Sequence, residues 1–287
     1  LPSATEILFA IGAGDDVVAV THECDYPPEA LRLPRVTSSS WPELRDAGAI
    51  DRHVRAAMHA GSSLYDLDSA LLDRLEPDLI VTQELCPVCA VSYDIVERAA
   101  KRLRTDPRIV SLEPSSIDEV LANIILLGEM TQRTHAARKV VADLQSRIAK
   151  LRQRNVSSER RLRTLVLEWT DPPMSAGHWV PELVELAGGT PILAHPQADS
   201  QRLEWDAIAA AHPEAIVVAP CGFDLAKTQR AIDELHGLDA WQSLAAVRGG
   251  WVLALDGNAY ISRPGPRLID SAEIIAQWYT GIAEYAG

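Results

Sequence analysis

Basic residues are in deficit in this chain. Lys and Arg number 27 against 40 Asp and Glu, a formal net charge of -13. An acidic chain gains nothing from the counterion release that drives nucleic-acid binding, so that class is set aside. No apolar run approaches the roughly 18–20 residues that a membrane-crossing helix needs. Four cysteines in 287 residues are too few for a disulfide scaffold. A Gly/Ser-rich linker is missing, which excludes lobes tethered by floppy chain. The sequence contains no Gly-x-Ser-x-Gly elbow, no Gly-x-x-x-x-Gly-Lys phosphate loop and no Gly-x-Gly-x-x-Gly fingerprint, and no catalytic triad can be assembled. An enzyme reading therefore has little to stand on. Aromatic residues are also scarce, 5% of the chain, so the places where they recur carry information.

Hydrophobic residues make up 47%, enough to bury two cores of ordinary size. The opening "LPSATEILFAIG" reads as the end of a strand entering a helix, so residues are expected to precede Leu1, and the lack of a signal peptide in the chain says little about compartment. "SATE" predicts a capping box with Ser3 as N-cap and Glu6 three residues on. "DVVAVT" predicts a short buried strand, and "CDYPPEA" a turn-rich loop. In "DLDSALLDRLEPDLIVTQELC" a helix runs to Glu76, Pro77 stops it, and Leu79 to Thr82 form a strand. "EWDAIAAAHPEAIVVAPC" repeats that order, with Pro213, a strand from Ile216 to Ala219, and Cys221. "TEILFAIGAG" and "PELVELAGGT" form a second matched pair, with Glu6 to Gly12 spaced as Glu182 to Gly188. Two matches in the same order predict two α/β lobes of similar topology, 1–115 and 162–287. They are expected to be three-layer sandwiches with mainly parallel central sheets. The segment 116–161 is helical, with Ser116 as a cap, a stripe of Ile117, Val120, Ile124 and Leu127, then a second stripe of Val140, Leu144, Ile148 and Leu151. A long helix bridging the lobes, with a ligand cleft between them, predicts closure of only a few degrees.

Ligands of open α/β sheets bind beyond the carboxyl ends of the strands. Those ends hold "THECDY", "TQELC", "EWTDPPMSAGHW", "APCGFD" and "DGNAYISRPGPR". They supply Glu23, Tyr26, Gln83, Cys86, Trp169, His178, Trp179, Phe223, Asn258, Tyr260 and Arg263, a lining suited to a large, flat, partly apolar ligand with polar edges. Taken singly, Trp169 or Trp179 would pass for packing residues, His178 for a loop histidine, and Asp68 and Asp206 for helix-dipole partners. "VTQELCPVCAVS" sets Cys86 and Cys89 in a Cys-x-x-Cys spacing. His22 and Cys24 would complete a four-ligand metal set with them if the two loops meet. A redox pair, a disulfide, and an inert loop at the cleft wall are the other readings.

"LPSATEILFAIGAGDDVVAVTHECDYPPEA", "PDLIVTQELCPVCAVS", "EWTDPPMSAGHWVPELVELAGG", "PEAIVVAPCGF" and "DGNAYISRPGPRLID" together resemble the vitamin B12-binding proteins that serve ABC importers, through nearly the whole chain. The resemblance implies a carrier rather than an enzyme, of two α/β lobes bridged by one long helix, with a cobalamin-type corrinoid bound between them and no other cofactor. It implies that Trp169 packs on the corrin, and that Asp206 and Asp68 dock on a permease that works with an ATPase. It further implies a monomer, exported to the periplasm or lipid-anchored at the outer face of the cytoplasmic membrane; a cytoplasmic corrinoid-handling protein is the alternative. Glu23 and Gln83 stand where well-known members carry aromatic residues, and Cys24, Cys86, Cys89 and Cys221 mark a distinct subgroup. A thiolate here could ligate the corrinoid cobalt. A siderophore carrier would use Arg263 and Arg267, a haem carrier an axial His22, His178 or Tyr260, and a Cys/His metal enzyme or sensor the four-ligand set.

Overall fold

A computed structural model describes residues 1–39, 46–59, 64–83, 93–156 and 160–285. These form two compact units. The first takes in the described residues of 1–44, 49–113 and 122–140, the second those of 45–48, 114–121 and 141–287.

The first unit opens with α1 (Pro2–Ala10). Its N-cap is Leu1, not Ser3, and no side chain caps it. Proline at the first helical position sets the start two residues earlier than the capping box predicts, because its fixed φ suits that position. Ser3 and Glu6 consequently lie inside the helix, each 3% exposed. "DVVAVT" is not a strand either: among the described residues it makes only a parallel bridge, Val20 to Arg35, and Val18 is exposed. Next come β1 (Thr37–Ser39), α2 (Ala47–His59) and β2 (Tyr65–Leu67), with β1 and β2 antiparallel. α3 (Ser69–Leu75) is capped by Asp68, whose Oδ1 accepts the Leu71 N–H at 2.8 Å. It closes through Glu76 in the left-handed region, φ 47°, and Pro77 cannot extend it. β3 (Leu79–Thr82), α4 (Tyr93–Ala100) and β4 (Arg108–Ser111) follow, with β3 and β4 parallel from Leu79–Arg108 to Thr82–Ser111.

α5 (Ile117–Met130) has the predicted cap, as Ser116 Oγ accepts the Glu119 N–H at 3.2 Å. Its first N–H, on Ile117, is taken by Glu182 Oε2 at 3.0 Å, a carboxylate at the positive end of the helix. Burial pushes the Glu182 carboxyl above its ordinary range, against that hydrogen bond. The expected stripe of Ile117, Val120, Ile124 and Leu127 is buried. α6 (Thr134–Val156) buries Ala137, Val141, Leu144, Ile148 and Leu151; Val141 holds the core position expected of Val140.

The second unit is built on β5 (Arg163–Thr170), β6 (Pro173–Ser175), α7 (Val180–Ala187), β7 (Thr190–Pro191), β8 (Gln201–Arg202), α8 (Trp205–Ala210), β9 (Ala215–Val218), α9 (Leu225–Leu235), α10 (Asp239–Gln242), α11 (Ala245–Arg248), β10 (Val252–Ala254) and α12 (Leu268–Tyr285). The sheet order is β10-β9-β5-β6-β8, with β7 also on β5. β10, β9, β5 and β7 pair in parallel, while β6 and β8 add an antiparallel edge, so this sheet is mixed. β9 is buried at all four residues, as a strand covered on both faces must be. The helix–proline–strand order read from the sequence is present twice, as α3, Pro77, β3 in one unit and α8, Pro213, β9 in the other, and each of these strands pairs in parallel with a later one, β4 or β10.

α6 and α12 are tied by charge. Arg147 donates to Glu273 at 2.6 and 2.8 Å and also to Asp270. The Arg147 hydrogen bond holds the Glu273 carboxyl below its ordinary range. A carboxyl lowered in this way contributes stability above its unfolded pKa of about 4.3 and loses it as pH falls through the folded value. Arg147→Met is expected to lower Tm by about 2–4 °C at pH 7. The gap should close below pH ~4. A gap unchanged between pH 7 and pH 3 in calorimetry would contradict this account.

Candidate functional site

In the second unit the loops that follow β5, β9 and β10 are laced together at the carboxyl ends of those strands. Ala219 N–H donates to Leu167 O at 2.9 Å, Cys221 N–H to Glu168 O at 3.1 Å, and Leu255 N–H to Val218 O at 3.0 Å. Beyond β10 the segment Gly257–Ile261 forms one π-helical turn, capped by Asp256 Oδ1 accepting from Ala259 N–H at 2.7 Å. Asn258 N–H donates to Phe223 O at 3.2 Å. Gly257 is what lets this turn approach. A Cβ there would lie 2.2 Å from Pro220 O and 2.7 Å from Ala219 O, both backbone atoms.

This lacing brings together most of the residues predicted for the second lobe. The register of β5 on β6 shifts between Leu167 and Trp169, the kind of bulge that re-aims a side chain at a strand end. Trp169 meets Phe223 edge to face, with centroids 5.4 Å apart and planes at 61°, the geometry the ring quadrupoles favour. Trp169 Nε1–H donates to Asp171 O at 3.0 Å, so its polar atom is satisfied by its own loop. Arg263 is 4% exposed and donates to Asn258 Oδ1 at 2.9 Å. The Arg267 guanidinium lies 5.9 Å from the centroid of Tyr260. Phe223 and Trp179 are buried, at 4% and 6%. Trp179 Nε1–H donates to Ile261 O at 2.9 Å, which pins the π turn from below. His178 has φ 54°, a strained conformation for a residue with a Cβ, and is clamped by hydrogen bonds to Ala198 O and from Gln197 N–H. Its ring is tilted on Trp179 at 5.7 Å, and its Nε2 is 3.5 Å from the exposed Asp199 carboxylate.

In the first unit, His22 lies just beyond the Val20 bridge. Its N–H donates to Thr37 Oγ at 3.1 Å, its Nδ1 is 2.7 Å from the same hydroxyl, and its ring sits 5.1 Å from that of Tyr65. Glu23 Oε1 is 3.3 Å from His22 Nε2. These side chains form the polar side of a half-open pocket of about 90 Å³, whose other walls include Leu67, Leu72, Ile80, Val81 and Val96. Tyr26 is 42% exposed. Gln83 follows β3 and is half-buried. Cys24 is wholly buried, with Sγ 3.2 Å from Thr5 Oγ and 3.1 Å from Thr21 Oγ. Cys86 and Cys89 lie outside the described residues. Among the described residues no three His, Cys, Asp or Glu side chains are grouped to hold a metal ion, and no helix is long and apolar enough to cross a membrane. Asp68 is occupied as the α3 cap, whereas Asp206 is exposed in the first turn of α8.

The periplasmic binding protein family matches residues 2–259 of this chain. The chain belongs to that family. A vitamin B12-binding protein of Vibrio cholerae serotype O1 is 26% identical across 96% of this chain and 86% of its own length. Among solved structures, the periplasmic vitamin B12 binding protein of Vibrio cholerae shares the fold with a TM-score of 0.69, at 24% identity over 97% of this chain and 93% of that one. The periplasmic heme-binding protein of Roseiflexus sp. RS-1 in apo form gives 0.71, at 21% identity over 97% and 95%. The protein is thus an ABC-type periplasmic solute-binding protein with the two-lobed, helical-backbone α/β fold that the sequence resemblance implies. Gly257, Pro220, Thr37 and Tyr65 belong to the site region without having been singled out from sequence. Of these, only Gly257 had a local signal, the turn-forming Asp-Gly-Asn at a strand end.

Proposed function

We propose that this protein is the capture component of an ABC importer whose cargo is a planar, metal-centred macrocycle, with a cobalamin-type corrinoid first in order. The observation that carries this reading is the strand-end surface of the second unit. There an edge-to-face Trp169–Phe223 pair stands with the hydrogen-bonded Asn258–Arg263 pair on loops that pack together. An apolar ring beside fixed polar groups suits the face and the amide or carboxylate rim of such a ligand. The vitamin B12-binding relative, aligned along nearly the whole chain, supports the corrinoid. The Roseiflexus heme-binding protein favours haem as the second reading. We assign Trp169, His178, Asn258 and Tyr260, with Glu23, Tyr26 and Gln83 of the first unit, to ligand contact. Trp179, Phe223 and the buried Arg263, which holds the Asn258 side chain, support them from beneath. The protein works by binding and release, outside the cytoplasmic membrane and as a monomer, without making or breaking a covalent bond of the cargo.

Titration with aquocobalamin and, separately, with haemin tests the reading. Saturation at one equivalent of the first with micromolar or tighter affinity is the expected result. Tight binding of haemin alone would select the second reading. Binding of neither would overturn both.

The same reading assigns Asp206 to docking on the permease. Asp206→Asn is expected to reduce ligand-dependent stimulation of the transporter ATPase several-fold, most strongly at low salt, with ligand affinity unchanged. Asp68→Asn is the matching test in the first unit, since an amide Oδ1 can still accept the Leu71 N–H and the α3 cap is largely kept. Equal stimulation by wild type and Asp206→Asn at low salt would remove Asp206 from the docking surface.

A further inference from the structure

We infer that the half-open pocket of the first unit is a subsite for a short uncharged amide group, filled in the loaded protein by one peripheral arm of the cargo and not by its ring. The assignment to the cargo rests on the macrocycle reading above. The amide chemistry rests on the pocket alone.

Size sets the first limit. The pocket has a volume of about 90 Å³. An apolar cavity of about 150 Å³ takes benzene, so this one has room for roughly three or four heavy atoms. That excludes a macrocycle and admits a carboxamide with one methylene. Leu72 on α3, Ile80 on β3 and Val96 on α4 supply apolar walls for the methylene.

The polar side sets the second limit. Thr82, the last residue of β3, lines the pocket and is 6% exposed. Its hydroxyl makes no hydrogen bond among the described residues. A buried hydroxyl without a partner is costly, and a valine would fill the same space with no such cost. Thr82 therefore holds a donor ready for a guest. Glu23 also lines the pocket, with Oε1 3.3 Å from His22 Nε2. An ionised carboxylate has about four acceptor sites, so Glu23 accepts from a guest where it stands, with its present contacts kept. A primary amide satisfies both groups: its carbonyl accepts from the Thr82 hydroxyl and its N–H donates to Glu23. A carboxylate guest has no donor to offer, and it meets the Glu23 charge in partly apolar surroundings, where like charges repel more strongly than in water. Gln83 directly follows Thr82, so two residues assigned above to ligand contact adjoin the pocket. The pocket thereby favours a macrocycle rimmed by amides, as a corrinoid is, over one rimmed by carboxylates, as haem is.

Methyl NMR of the whole chain, titrated with acetamide and with acetate, tests the chemistry without the cargo. Millimolar acetamide is expected to shift the Thr82 and Val96 methyl signals, and acetate to need at least about tenfold more. Thr82→Val should weaken acetamide binding about tenfold, and Val96→Phe, which fills the apolar side, should remove it. Thermal melts of both variants check folding. No shift with acetamide, or equal shifts with acetate, would overturn the inference. Calorimetry with aquocobalamin separates the sources of the amide. A loss of about tenfold in Thr82→Val, and a larger one in Val96→Phe, would identify it as an arm of the cargo. Acetamide shifts together with aquocobalamin affinities within about twofold of wild type in both variants would overturn the assignment to the cargo and leave a site for a free small amide. Acetamide shifts in a wild type that binds neither aquocobalamin nor haemin would overturn the carrier reading and keep the amide site.

Discussion

Gly257→Ala is expected to abolish tight ligand binding and to lower stability by about 2–3 kcal/mol, or roughly 4–10 °C in Tm. The reason is steric and local. The new Cβ would sit 2.2 Å from Pro220 O and 2.7 Å from Ala219 O. Neither atom can retreat by a rotamer change. Ala219 N–H is bonded to Leu167 O and Cys221 N–H to Glu168 O, so the loop after β9 is fastened to β5 on both sides of Pro220. The π turn must move instead. Moving it breaks the Asn258 N–H to Phe223 O bond and the Trp179 Nε1–H to Ile261 O bond, and displaces Asn258 from its place under Arg263. Positive φ plays no part, since Gly257 is not among the glycines in the left-handed region. Gly222→Ala is the informative contrast. Its φ is 77° but nothing lies within 4 Å of a Cβ there, so only the conformational strain remains, about 1 kcal/mol. Equal melting temperatures and affinities for the Gly257→Ala and Gly222→Ala variants would show that the close approach does not matter.

That loop also marks where sequence reasoning reaches and where it stops. Helices and strands with strong punctuation were legible: Pro77 and Pro213 each separate a helix from a parallel strand, and Ser116 caps α5 as its spacing predicts. Two elements were misread near Leu1. The Pro2 start outcompetes the Ser3–Glu6 box, and the valines of "DVVAVT" imitate a strand while forming one bridge. Apolar runs of that length are ambiguous because burial on one face, not composition, decides whether a ladder forms. The grouping of Trp169, Phe223, Asn258 and Arg263 in the second unit was legible because strand ends are where such folds place their loops. Their division of labour was not. Trp179 and Trp169 look alike in sequence, yet one donates its indole N–H to a neighbouring turn 82 residues away and the other to a carbonyl two residues on. Such partners are chosen by tertiary approach, and no spacing rule encodes them. The same holds for Thr37, which meets His22 from a different element.

Trp169→Ala should then show the largest loss of affinity with the smallest loss of stability. Trp169 is only half-buried, and its Nε1–H is satisfied within its own loop. Removing the ring therefore strands no partner in the core, whereas removing Trp179 would leave the Ile261 carbonyl unpaired. What the ring supplies is an apolar face, fixed by its edge contact with Phe223. A rigid aromatic anchor of this kind is worth about 2 kcal/mol or more at an interface, which corresponds to about thirtyfold in Kd. Trp169→Phe keeps a face of smaller area and should cost less than about tenfold. Trp179→Phe should reverse the balance, with a drop in Tm of a few degrees for the lost buried hydrogen bond and a smaller, indirect effect on Kd. Calorimetric titration with aquocobalamin or haemin, whichever the wild type binds, together with melting curves for the three variants, separates contact from support. If Trp169→Ala binds within twofold of wild type, the aromatic pair is not where the cargo rests, and the carrier reading loses the observation on which it stands.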